Sequence, residues 1–344
     1  MVLGLVAIPT LGEIATRVLA PQALISDILV ADRDVDYRLR PHARGRMTSA
    51  DYAVDVRVNS LGFRGGEFPS AKRPGATRVL FLGDAYTFGH GLRDADALPQ
   101  VVGQELERRE RGRYEVINGG VYGYSTANEL EFFLKYGRPL RPDLVVIVVT
   151  TGDIFDNAVW YELGPDGTLR RKATTSQYAY TRRLTRYVPG ASWLRENSHL
   201  FKFAGLLFLP SRIPGASQAE AVRHRELFPP FYRTKRGPFA VTTALLAKLA
   251  EAARADGTRL VLLTVGPADG AGLYVASDLI LPHERLMDAA LRMGFAAALP
   301  LSPTLWKADD RKKLFFPNDG HWTPAATRLL APPVADVIAR VTAR

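Results

Sequence analysis

Two stretches of this chain are apolar at almost every position, Val79 to Leu82 and Asp143 to Thr150 (DLVVIVVT). That is the pattern of strands covered on both faces, as in a parallel sheet. Tyr114 to Ile117 and Arg259 to Val265 are further strand candidates. Between and after them, apolar residues recur at helical spacing in Gln100 to Arg109, in Ser125 to Leu134 with Ser125 placed as an N-cap, in Thr242 to Ala255 and in His283 to Met293. Helical text starts again at Ala325, is interrupted at Pro332-Pro333 and resumes to Arg340. Strand and helix alternate, so the expected class is α/β: a three-layer, doubly wound, mostly parallel sheet.

The alternation breaks in two places. Ahead of the first core strand, Tyr52 to Val58 alternates like a half-buried strand and Asn59 to Gly65 (NSLGFRG) reads as a turn, which together predict an N-terminal β arm. From Tyr161 to Pro238 the strand and helix rhythm is lost. A Gly164-Pro165-Asp166-Gly167 turn opens this segment, and the basic clusters Arg170-Arg171-Lys172 and Arg182-Arg183 follow, interleaved with Tyr178, Tyr180, Tyr187, Trp193, Phe201, Phe203, Phe228, Phe231 and Tyr232. The expected organisation is therefore an N-terminal helix in residues 1–35, the arm and first half of the core in 36–160, a basic, aromatic, lid-like insertion in 161–238, and the second half of the core in 239–344. Met1 to Leu11 is too short an apolar run to span a bilayer as written and lacks the basic start of a secretory signal, so it reads either as a membrane-proximal helix or as a packing helix.

Chemistry-bearing text stands at the ends of the core strands. Gly83-Asp84-Ala85 follows the first, Asn118-Gly119-Gly120-Val121-Tyr122-Gly123 the second and Thr151-Gly152-Asp153 the third, while Asn318-Asp319-Gly320-His321 precedes the last helix. Strand ends of this kind face the crevice of an open α/β sheet.

These four blocks, in this order and preceded by NSLGFRG, resemble the signature of the SGNH (GDSL) hydrolase family. The resemblance implies a flavodoxin-like SGNH-hydrolase fold and kinship with carboxylic-ester hydrolases and O-acyltransferases acting on acylated glycans or lipids. Residue by residue it implies that Gly83 and Asp84 belong to the first motif, with Ala85 at the place of the nucleophilic serine. It makes Gly120 the oxyanion glycine, puts Gly152 at the place of the oxyanion asparagine, and makes His321 the general base with Asp319 orienting it. Asp319 stands two residues before His321, where many relatives have three. A methyl group at Ala85 has no lone pair with which to attack a carbonyl. Loss of one oxyanion donor at Gly152 typically costs roughly 100- to 1,000-fold in turnover. The implied protein is inactive or strongly impaired and retains a site for an acylated glycan or lipid-like ligand.

Three other readings remain open. A different hydroxyl, from Thr87, Ser125, Thr150 or Thr151, is a candidate nucleophile for His321, or Ala85 is an engineered replacement in an active esterase or acyltransferase. The third is an interaction protein that docks through its basic insertion. Charge bears on the last. The chain carries a net +10, and between Arg170 and Arg236 there are 14 Lys and Arg against three acids, so an acidic polymer or a membrane surface is the expected partner of 170–236. Nucleic acid is disfavoured because no groove-reading element is recognisable. The absence of cysteine removes disulfides, thiolate ligands and a cysteine nucleophile but leaves the compartment open, and the resemblance favours an extracytoplasmic or membrane-associated location. The six histidines show no ligand spacing along the sequence, so no metal or organic cofactor is expected.

Overall fold

The computed structural model describes residues 2–20, 22, 24–25, 28–172, 190–208, 237–266 and 280–343. Helix α1 (Val2–Leu19) leads into short strands β1 (Leu24–Ile25), β2 (Leu29–Asp32), β3 (Asp36–Leu39), β4 (Arg44–Thr48) and β5 (Ala53–Arg57). β1, β4 and β5 form an antiparallel sheet, and β2 pairs with β3. This is the arm that the alternation of residues 52–58 predicts.

The core then runs β6 (Thr77–Leu82), α2 (Ala85–Phe88), α3 (Leu98–Arg109), β7 (Tyr114–Asn118), α4 (Thr126–Phe132), β8 (Leu144–Thr150) and α5 (Thr151–Trp160). After the hairpin β9 (Tyr161–Leu163) and β10 (Leu169–Arg171) come α6 (Ala191–Asn197) and α7 (His199–Phe208). The chain returns to the core with α8 (Pro238–Ala255), β11 (Arg259–Val265), α9 (Ile280–Arg292), β12 (Ala297–Pro300), α10 (Ser302–Trp306) and α11 (Pro324–Val341). Arg182-Arg183 and the aromatics Tyr178, Tyr180, Tyr187, Phe228, Phe231 and Tyr232 lie outside the described residues. No helix among the described residues is long and apolar enough to cross a membrane.

The core sheet has the order β12-β11-β8-β6-β7 with every neighbouring pair parallel. Counted along the core alone this is 2-1-3-4-5, the doubly wound, flavodoxin-like order. Side chains alternate between its faces. Leu80, Leu82, Val145, Ile147, Val149, Leu260 and Leu262 join the arm, α4, α8 and α9 in one apolar cluster. Val79, Phe81, Val146, Val148, Val261 and Leu263 join α3 and α11 in the other. Burial on both faces is why these strands read as unbroken apolar runs. The chain leaves β6 toward β7 on one side and reaches β8 on the other, so the crevice opens at the carboxyl ends of β6 and β8.

Two expectations are corrected, and one element had not been foreseen. The terminal helix is not interrupted: α11 contains both Pro332 and Pro333. Each proline costs about 3 kcal/mol or more in a helix interior, but Leu330, Val334, Val337 and Ile338 are buried by α11. Burial contributes roughly 1.5–3 kcal/mol for each such side chain. The two carbonyls that the prolines leave without donors belong to Arg328 and Leu329, at exposed positions open to water. The helix capped by Ser125 ends as α4 at Phe132 and widens into a π turn over Phe133–Gly137. The edge strand β12 was not expected, since Ala297–Pro300 is half-buried at every position and has neither a bulky apolar run nor alternation.

One buried cation ties the arm to the core. Asn59 Oδ1 accepts the N–H groups of Leu61 (3.0 Å) and Phe63 (2.9 Å), and the turn so held presents Arg64 inward. Its fully buried guanidinium donates to the carbonyls of Phe88 (2.6 Å), Gly89 (2.6 Å) and Leu92 (2.5 Å) and to Asp94 Oδ1 (3.0 Å). It also lies 4.4 Å from the centroid of the Phe88 ring. Replacing Arg64 by Met strands those acceptors, and Arg64→Met is expected to lose about 3–5 kcal/mol of unfolding free energy. Urea denaturation measures this, and a loss below about 1 kcal/mol would show that the guanidinium does not hold the loop.

Candidate active site

β6 delivers the first motif into the crevice. Gly83 is required by close approach, because a Cβ there would lie 2.1 Å from Thr87 Oγ1 and 2.8 Å from Thr87 Cβ. Asp84 caps α2 through Oδ1, which accepts the Tyr86 N–H at 2.9 Å, and its Oδ2 accepts the Thr150 hydroxyl at 3.3 Å. The carboxylate therefore fastens the end of β6 to the end of β8. Ala85 is the first residue of α2 and is partly exposed, so a methyl group stands where the resemblance places an attacking oxygen.

The Gly120 expectation changes. Its N–H donates to Asn118 Oδ1 at 2.9 Å and the residue is buried, so that amide is engaged within its own loop rather than offered to a ligand. What demands glycine at 120 is proximity to α2: a Cβ would lie 2.3 Å from the Phe88 nitrogen. Gly123, three residues on, is exposed, and its N–H makes no hydrogen bond among the described residues. Gly152 lies in the exposed first turn of α5, where a Cβ would meet only Thr150 Oγ1, at 3.5 Å. A Cβ is therefore sterically free at this position.

Asp319 and His321 meet. His321 Nδ1 is hydrogen-bonded to Asp319 Oδ1 across Gly320, whose φ of +80° is one that glycine tolerates best. His321 is 27% exposed and its Nε2 makes no hydrogen bond among the described residues, so that atom is available to the crevice. Tyr86 and His90 pack about the imidazole, with ring centroids 5.1 Å and 4.7 Å away.

The arm builds the rest of this corner. Asp51 Oδ2 accepts the N–H groups of Asn318 and Asp319, both at 2.9 Å, and its Oδ1 accepts the Asn318 amide at 2.6 Å. Tyr52 donates its hydroxyl to Asp319 Oδ2 at 2.8 Å and lies 2.8 Å from His90 Nε2. Since the single phenolic proton goes to the carboxylate, Nε2 of His90 is the donor to the Tyr52 oxygen, and Nδ1 of His90 is left as an unprotonated, buried atom without a partner among the described residues. Burial works to raise Asp319, but hydrogen bonds from His321 and His90 overcome it and hold the carboxyl well below its usual range. Burial also holds His90 below the usual histidine range.

Among the described residues none of the hydroxyls named as substitutes hydrogen-bonds to His321; the Thr87 hydroxyl has no partner but is sealed from the crevice by burial, and the other three are committed elsewhere. Thr87 is fully buried, Ser125 belongs to the cap of α4, and Thr150 bonds Asp84 and caps α5. Thr151 Oγ1 lies 2.9 Å from Nε2 of a different histidine, His283, which burial pushes down to about 4. Sequence reasoning also missed Asp51, Tyr52 and His90. The available signals were weak: His90 lies five residues past Ala85 in the same block, and Asp51-Tyr52 sits at the edge of an arm strand.

Two buried acids, Glu129 and Asp153, lie close enough to the half-buried Asp84 to feel its charge. Burial pushes Asp84 up to about 6. Burial first, then the charge of Asp84, raises Glu129 well above its usual range, and burial followed by the charges of Glu129 and Asp84 does the same for Asp153. Both Glu129 oxygens are buried without a hydrogen-bond partner among the described residues. The folded chain thus holds a proton on Glu129 that the unfolded chain releases above its ordinary value of 4.5. The stability this gives is complete below that value and is lost as pH rises toward the folded-state pKa. Glu129→Gln removes the titration, so its melting temperature is expected to gain on that of the unsubstituted chain as pH goes from about 5 to about 8. Parallel curves in a thermal-shift series would contradict this.

No family model matches the sequence, and no curated protein matches it. Among solved structures it is similar to TesA, at 16% identity and a TM-score of 0.46, with 77% of this chain and 99% of that chain covered. It is also similar to a lipase/acylhydrolase from Enterococcus faecalis, at 12% identity and a TM-score of 0.45 over 76% of this chain and 95% of that one. A catalytic mutant of Axe2, an acetylxylan esterase from Geobacillus stearothermophilus, is similar at 12% identity and a TM-score of 0.41 over 79% of this chain and 97% of that one.

Proposed function

We propose that this protein is a divergent SGNH-like protein that holds a small acyl ester, of the kind carried by acylated glycans or lipids, in the crevice at the ends of β6 and β8 without serine chemistry. The observation that carries this reading is an assembled Asp319–His321 pair packed against the turn that begins at Ala85, where Tyr86 lies 5.1 Å and His90 4.7 Å from the His321 ring and the His90 N–H donates to the Ala85 carbonyl at 2.9 Å, while residue 85 itself carries only a methyl group. A general base with an oriented ring and a free Nε2 is in place, and the atom it would activate is missing. Gly152 removes a side-chain donor and the Gly120 amide is engaged, so charge on a tetrahedral intermediate would find little support.

The test uses acetyl and butyryl esters in chelator-treated buffer. Saturation-transfer NMR is expected to show the acyl methyl groups in contact with the protein, while product formation stays at the level of a heat-inactivated control. Brisk turnover that disappears in His321→Ala would overturn the reading, as would the absence of any acyl contact.

A second reading concerns a membrane surface, and an exposed stripe favours it. Leu11, Ile14 and Val18 repeat at helical spacing on α1 and are 66%, 53% and 73% exposed, with Leu19 at 82% beyond them. Trp193 on the neighbouring α6 is 64% exposed, and the stretch of sequence that contains it, residues 170 to 236, carries the excess positive charge. An interfacial helix beside basic residues suits an anionic lipid surface. Co-sedimentation with phosphatidylserine-containing vesicles is expected to weaken as salt rises and to fall in Val18→Glu. Equal binding to neutral and anionic vesicles would count against it.

A further inference from the structure

His90, Asp319 and His321 come from two loops more than 200 residues apart, yet one donor atom from each lies within 4.8 Å of the other two. Two imidazoles and one carboxylate are a donor set suited to divalent first-row metals. The spacing is close to what such an ion needs. His90 Nε2 and Asp319 Oδ2 are 3.5 Å apart. Bonds of about 2.0–2.1 Å around a tetrahedral zinc place neighbouring ligand atoms roughly 3.3 Å apart.

Two further features of the site distinguish it from a catalytic pair alone. His90 is not needed to orient His321, because Asp319 already does so, yet it is held against both of them with its ring 4.7 Å from the His321 ring. The surroundings are also those of a supported metal site. Asp51 fixes the backbone of 318–319, as an outer partner of a ligand does, and the Tyr52 hydroxyl, 2.8 Å from both His90 Nε2 and Asp319 Oδ2, bridges the two atoms that an ion would take over.

We infer that His90, Asp319 and His321 form a binding site for a divalent first-row metal ion, zinc being the probe of choice. The ion takes one ring nitrogen from each histidine and an oxygen from Asp319. Its neighbour in the crevice is Ala85, where the side chain offers no oxygen. Bound water on such an ion loses its proton near neutral pH, so the site supplies by coordination the kind of nucleophile that residue 85 does not. The inference goes beyond the acyl-ligand reading and does not depend on it, because metal binding is measured without any ester present.

The test is isothermal titration of the chelator-stripped, dialysed full chain with zinc chloride, checked by metal analysis after gel filtration. One ion per chain is expected. His90→Ala and His321→Ala should each weaken binding at least tenfold, while His42→Gln, on the exposed face of the arm, should leave it unchanged. Circular dichroism and thermal melting of His90→Gln confirm that loss of binding is not loss of fold. Two results would overturn the inference: no saturable binding to the unsubstituted chain, or binding that survives in His90→Ala, which would mean an adventitious ion only. Because the acyl-contact experiment is run in chelator, either proposal can fail while the other stands.

Discussion

The structure depends on a cation sealed inside it. Burying a guanidinium costs several kcal/mol unless each donor finds an acceptor, and Arg64 meets this condition with three backbone carbonyls of the loop after α2 and with Asp94. That loop carries His90, and the helix before it begins with Ala85. The same arm supplies Asp51 and Tyr52, which fix the backbone and carboxylate of Asp319. The arm is thus the frame of the site. Without it, mainly the packing of Tyr86 on His321 and Trp322 and of His90 on His321 would join the segment bearing His90 to the turn bearing His321.

The chemistry of the crevice follows from what is held and what is missing. His321 is oriented by Asp319 and flanked by Tyr86 and His90, so its free nitrogen is directed with little freedom to lose. Nearby, Asp84 spans the ends of β6 and β8, with Glu129 and Asp153 close enough to feel its charge. Three ionised carboxylates in such a place would oppose any developing oxyanion. Burial instead favours their neutral forms, which keeps the local field modest at the cost of a stability that declines with rising pH. With no hydroxyl at residue 85, the proposed role is to hold an acyl ligand rather than to cleave it.

Much of this was legible in the sequence, for physical reasons that differ from element to element. β6 and β8 were readable because a strand buried on both faces must be apolar throughout, and the strand-end blocks were readable because a crevice at the switch point needs tight turns there. β12 was hidden: an alanine-rich edge strand that is half-buried carries neither an apolar run nor alternation. The prolines of α11 misled because local preference was weighed without the core that holds the helix in place. Gly120 was read for its amide alone, because nothing along the sequence shows the backbone of α2 passing close enough to require glycine there. His90 was invisible as a partner of Asp319 because no linear spacing reveals residues that meet only in the folded chain. The part of the basic insertion in residues 173–189 and 209–236 lies outside the described structure.

The central proposal is that His321 serves as a general base in a crevice with no side-chain nucleophile for it to activate. Intact-mass spectrometry after incubation with a fluorophosphonate tests it most directly, since the reagent marks a hydroxyl only where a neighbouring imidazole activates it. The account predicts no adduct on the unsubstituted chain and an adduct on Ala85→Ser that vanishes when His321→Ala is added. An adduct on the unsubstituted chain that requires His321 would contradict it.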